Sequence, residues 1–109
     1  MEKLVAYKRM PVWNKDTMPE AVQRKHNTKV GTWGKITVLK GTLKFIELTE
    51  DGEVLAEHFF EAGADNPMAQ PQAWHRVEAA TEDVEWYLEF YCKPEDYFPK
   101  KYQTSPVHS

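Results

Sequence analysis

Four histidines, His26, His58, His75 and His108, and one cysteine, Cys92, are the side chains of this 109-residue chain best suited to chemistry at neutral pH. Imidazole titrates near neutrality, donates or accepts a proton, and ligates metals. His75 sits in Pro71-Gln72-Ala73-Trp74-His75-Arg76-Val77-Glu78, where a proline-marked loop hands a histidine to a strand beside a tryptophan. A loop-to-strand junction at the mouth of a barrel is where an inward imidazole can be fixed by rigid neighbours. The same position also suits a histidine that merely bonds the backbone at a strand start, and the sequence leaves both readings open. Trp74 is the best candidate for a pocket wall, with Trp33 as a second aromatic contributor.

His26 precedes Asn27-Thr28-Lys29-Val30-Gly31-Thr32-Trp33-Gly34 and is a candidate second pocket imidazole. His26 and His75 are thus the candidate ligand-binding pair and the candidate ligands of a divalent metal ion. Two imidazoles alone make a weak metal site, since zinc takes three or four protein ligands and iron or manganese wants a carboxylate. Glu47, Glu57, Glu89 and His58 are the available third donors, and none stands out. Alternation along a strand puts Val77 and Ala79 on the face of His75 and turns Trp74, Arg76 and Glu78 away. His58 reads as an exposed or partnered strand histidine, and His108 as a residue of a polar tail. Cys92 reads as a small buried hydrophobe rather than a nucleophile.

The elements that must hold these residues are strands. Seven prolines and five glycines cut the chain into strand-length pieces. Leu4 to Arg9 is expected to be a first strand. Lys35 to Leu39, a turn at Lys40-Gly41 and Thr42 to Leu48 give the clearest β signal, and Asp51-Gly52 then marks a hairpin returning through Glu53 to Glu61. Gly63 to Gln72 reads as a loop and Trp74 to Ala79 as a short strand. Val84 to Cys92 alternates most regularly, with Val84, Trp86, Leu88, Phe90 and Cys92 on one face. Glu20 to Asn27 is ambiguous between an extended segment and a helix, and Pro94 to Phe98 is read as one helical turn. The expected class is all-β, a sandwich or barrel forming a single domain over residues 1–109. Residues 1–10 are expected to be an N-terminal arm or strand, and 93–109 a polar C-terminal tail whose last residues are loosely held.

Composition narrows the partners. Fourteen basic against seventeen acidic residues give a net charge of −3, with no basic cluster, so no nucleic acid is expected. One cysteine allows no intrachain disulfide and suits a reduced, cytoplasmic setting. The N-terminus does not read as a signal peptide, and no apolar run is long enough to span a membrane. Gly31-Thr32-Trp33-Gly34 lacks the glycine spacing of a phosphate loop and precedes a strand, so no nucleotide cofactor is expected. No Gly-x-Ser-x-Gly elbow appears either.

Several segments carry a resemblance. Met10 to Thr17, Lys25 to Lys35, Val38 to Gly41 and Pro71 to Glu78 resemble the TehB-type tellurite resistance domain, across nearly the whole chain. The resemblance implies a small cupin-like (jelly-roll) β-barrel that binds a small molecule or a tellurite-like oxyanion and serves tellurite resistance or the oxidative stress response. In that family the module stands alone or ahead of an S-adenosylmethionine-dependent methyltransferase. No methyltransferase half is read in these 109 residues, so the chain is expected not to be a methyltransferase by itself. The alternatives are a metal-dependent cupin enzyme with a reduced histidine site, and an interaction module for a separate methyltransferase; a homodimer through edge strands is a further expectation. Against the cupin histidine–glutamate motif aligned on Gly41, Gly34 stands where the glutamate belongs, with Asn27 and Lys29 at the two histidine positions. His75 matches the histidine of the second motif. Of the usual three-histidine, one-glutamate set, His26 and His75 are what remains.

Overall fold

The computed structural model describes residues 3–97 and the backbone of 107–108. Nine strands run in the order β1 (Val5–Arg9), β2 (Trp13–Asn14), β3 (Asn27–Thr28), β4 (Trp33–Lys40), β5 (Thr42–Leu48), β6 (Val54–Glu61), β7 (His75–Ala79), β8 (Glu85–Cys92) and β9 (Val107–His108). A single helical turn, α1 (Glu20–Gln23), and a 3-10 turn at Pro94–Asp96 interrupt them. The ambiguous segment after Pro19 therefore resolves as one turn of helix, with Pro19 at its N-cap, followed by extended chain.

The regular alternation of Val84 to Cys92 has its cause in the centre of one antiparallel sheet. β8 pairs with β4 along one edge, and with β1 and then β2 along the other. The N-terminal arm is thus a full sheet strand, Val5 opposite Cys92 and Arg9 opposite Glu89. A second sheet has β5 in the middle, flanked by β6 and β7. Asp51-Gly52 makes the expected turn, with Gly52 at φ 92°, a left-handed conformation that glycine adopts without strain.

The two sheets face one another across one core. Ile36, Val38, Trp86, Leu88 and Phe90 come from the first sheet, and Leu43, Phe45, Phe60 and Val77 from the second. Trp86 packs edge-on against Trp13 with centroids 5.2 Å apart, and Phe45 stacks on Phe60 at 5.0 Å. Burying each such large apolar side chain contributes about 1.5–3 kcal/mol, so these alternating positions fix which face of each strand turns inward. The all-β class read from the sequence is the one observed. Among the described residues, isolated bridges add one further residue to the edge of each sheet, Ala69 against Gly34 of β4 and His26 against His75 of β7.

The tail departs from expectation where it is described. Residues 98–106 and 109 lie outside the described residues, but Val107 and His108 pair with Thr28 and Asn27. The backbone of the last strand is therefore tied beside the segment that carries His26. Among the described residues no helix is long and apolar enough to cross a membrane.

Candidate functional site

Strand pairing brings His26 and His75 together. The His26 N–H donates to the His75 carbonyl at 3.0 Å and the His75 N–H to the His26 carbonyl at 2.9 Å, so His26 extends the second sheet beyond β7. Both residues are buried, at 3% and 5% exposure. Their rings meet edge to face, centroids 4.3 Å apart at 73°, and His75 also stacks on Phe45 at 5.0 Å.

Each ring is held in one tautomer by its own backbone. Nδ1 of His26 lies 2.8 Å from the Arg24 carbonyl, and Nδ1 of His75 lies 2.9 Å from the Ala73 carbonyl. A carbonyl only accepts, so Nδ1 carries the proton in both rings and the neutral Nε2 is a bare acceptor. Burial pushes the His75 pKa down to about 4, with a further push from His26 and a smaller opposing pull from the Ala73 carbonyl. Burial also lowers His26, against its bond to the Arg24 carbonyl. Both imidazoles are therefore neutral at physiological pH.

The two rings wall a cavity of about 20 Å³ between the sheets, with Thr28, Gly34, Ala69 and Trp86 among its other lining residues. A cavity of this size holds roughly one water molecule. On the outer side of His75 lies a cleft of about 70 Å³, lined by Phe45, Glu47, Met68, Ala69, Gln70, Ala73, Trp74 and His75. Ala69 and His75 belong to both walls, so these two residues separate the cleft from the interior.

Trp74 and Trp33 take different places around the histidine pair. Trp74 lines the outer cleft and not the inner cavity, with the Lys25 ammonium 4.8 Å from its ring centroid. Trp33 lines neither: Gly34 is the residue of that pair that reaches the cavity, and the Trp33 Nε1–H donates to Gln70 Oε1 at 3.3 Å. The reason is parity, since adjacent strand residues face opposite ways. Conversely, Thr28, Gly34, Ala69 and Trp86 complete the cavity without having been singled out. Trp86 alone carried a signal, as an inward position of the most regular strand.

Among the described residues no third donor joins His26 and His75. Glu47 lies directly opposite His75 in the β5–β7 register, the best position for a third ligand, but its carboxylate is engaged by His58 Nε2 at 2.5 Å. Glu57 pairs with Lys44 at 2.9 Å and Glu89 with Arg9 at 3.1 Å. Among the described residues no group of three His, Cys, Asp or Glu side chains is placed to hold a metal ion. Cys92 is fully buried in β8 on the inward face, as its alternation implied.

The TehB-like domain family matches residues 8–88, from the end of β1 to the middle of β8, a span that includes His26 and His75. The chain belongs to that family. The probable S-adenosyl-L-methionine-dependent methyltransferase TehB of Haemophilus influenzae is 62% identical over 106 residues, covering 97% of this chain and 37% of the relative. The chain thus spans little more than a third of the length of that relative. The crystal structure of TehB from Haemophilus influenzae superposes with a TM-score of 0.89 at 63% identity, covering 96% of this chain and 37% of that one. Among shorter relatives, the uncharacterized protein YeaR of Escherichia coli is 26% identical over 104 residues, covering 91% of this chain and 87% of YeaR. Stretches similar to this chain thus lie both within a longer polypeptide and across most of a short one.

Proposed function

We propose that this TehB-like domain is a small-molecule-binding module that serves tellurite resistance and the response to related oxidants. The observation that carries the reading is the pair of buried, neutral imidazoles, His26 and His75, set in the wall of a cavity with their distal nitrogens unprotonated. Burying two polar rings costs stability unless their polar atoms are satisfied. Backbone carbonyls satisfy Nδ1 in each case, which leaves Nε2 for a ligand. His75 further forms the partition between this cavity and the cleft open to solvent, so entry runs past its ring.

The test is complementation of a tellurite-sensitive host with the wild-type chain and with His75→Phe. Phenylalanine keeps the ring that stacks on Phe45 and removes both nitrogens. Wild type is expected to raise the tolerated tellurite concentration, and the folded variant to fail. Equal protection by both would remove His75 from the site, and no protection by wild type would remove the tellurite role.

The coverage of TehB favours a second reading, a module that docks on a methyltransferase. In Haemophilus influenzae TehB the matching residues share one polypeptide with a longer remainder. Co-purification of the chain with that remainder, expressed separately, checks it. A homodimer would use the β6 edge, where Leu55 and Phe59 are exposed, and light scattering reads it directly.

A further inference from the structure

We infer that the outer edge of β6 is a docking edge for an extended, basic segment of a partner polypeptide, added to the second sheet as a further strand. The backbone carries the first part of the argument. Even-numbered residues of β5 spend their backbone groups on the β7 side: the Leu48 N–H donates to the Trp74 carbonyl at 2.9 Å, and the Ala80 N–H to the Thr42 carbonyl at 3.1 Å. Hydrogen-bonded and non-bonded pairs alternate along an antiparallel ladder, so Leu43, Phe45 and Glu47 bond to their β6 partners Phe60, His58 and Ala56. The Ala62 N–H, donating to the Gly41 carbonyl at 3.2 Å, continues that series. Glu57, Phe59 and Glu61 therefore turn their N–H and C=O groups away from β5, on the side where β6 has no neighbouring strand among the described residues. Such an edge is a template for strand addition.

The side chains of the same three residues choose the occupant. They lie on the face turned from the core, since the intervening Phe60 is buried in it. Phe59 is 60% exposed, and a carboxylate stands two residues to either side of it. Lys44 pairs with Glu57 from the β5 side at 2.9 Å and still leaves the Glu57 side chain 46% exposed. A neighbouring strand thus meets acid, ring and acid in turn, and its complement is base, apolar and base along one face. A second copy of the chain does not supply this. Each antiparallel register that uses these backbone groups sets Glu57 or Glu61 against another carboxylate or against Phe59, and like charges directly opposite are destabilising. The net charge of −3 opposes self-association in the same sense.

The experiment is a titration of the ¹⁵N-labelled chain with two end-blocked peptides, Ser-Lys-Thr-Val-Thr-Lys-Ser and its counterpart with both Lys replaced by Glu. The amide signals of Glu57, Phe59 and Glu61 are expected to move with the basic peptide and to ignore the acidic one. Those of Ala56, His58 and Phe60, already bonded to β5, should move far less. Glu57→Lys combined with Glu61→Lys should invert the preference between the peptides by roughly tenfold or more, the scale of two reversed cross-strand charge pairs; the wild-type titration stands whether or not that variant folds. An equal response to both peptides, or no response to either, would overturn the inference. So would a dimer, seen by light scattering, that protects the Glu57, Phe59 and Glu61 amides from exchange, because the edge would then belong to a second copy.

Discussion

Ala69 and Gly34 exchange two backbone hydrogen bonds, 2.7 and 3.0 Å long, and thereby lay the loop before β7 along the free edge of β4. The absent side chain of Gly34 is part of the space between the sheets. A methyl added there would lie 3.6 Å from both Ala69 Cβ and a Leu88 methyl, ordinary contact distances, and Gly34 has no positive φ. Gly34→Ala is therefore expected to fold and to gain roughly 0.5–1 kcal/mol through lower unfolded-state entropy. It should also fill the cavity and abolish ligand-induced stabilisation, a combination that thermal melts with and without tellurite would detect.

Gly41 is the opposite case. Its φ is +70°, and a methyl there would fall 2.3 Å from Thr81 Oγ1 and 2.6 Å from Asp83 Oδ1. The Thr81 hydroxyl is already committed to the Thr42 N–H at 2.9 Å. Gly41→Ala should destabilise by about 2 kcal/mol or more, measured by urea denaturation. A change below about 0.5 kcal/mol would mean that the turn rearranges freely.

The depressed pKa of His75 sets a pH dependence whose direction is fixed. The unfolded imidazole takes its proton near 6.5, while the folded one resists until about 4. Between these values the unfolded state binds more protons, so stability falls as pH drops through that window. Above 6.5 this contribution is level. The loss is about 3 kcal/mol by pH 4, and His26, shifted the same way, adds to it. His75→Phe should flatten the profile between pH 6.5 and 4 relative to wild type.

Phe45 joins the core to the site, stacked on Phe60 at 5.0 Å and on His75 at 5.0 Å. Phe45→Ala is expected to cost about 3–5 kcal/mol and to loosen His75. Phe45→Leu should cost much less and retain ligand binding.

The framework of the fold was legible because it depends on local pattern. Period-two alternation in β8, the Asp51-Gly52 turn and the inward parity of His75 with Val77 all follow from strand geometry. The site was legible only in part. His26 and His75 could be nominated as isolated imidazoles, but their contact depends on a bridge outside the named strands. Trp33 misled because the position that reaches the cavity is its neighbour Gly34, and a glycine leaves no hydrophobic signal. Glu47 offered itself as a metal ligand, and its engagement with His58 depends on the β5–β6 register rather than on sequence spacing.

Long-range ¹H–¹⁵N spectra of the histidine rings at neutral pH put the central claim to its sharpest test. The account predicts that His26 and His75 both appear as Nδ1–H tautomers with unprotonated Nε2, and that both Nε2 signals shift together when tellurite is added. Protonated Nε2 in either ring, or two Nε2 signals that stay fixed while ligand binds, would contradict it.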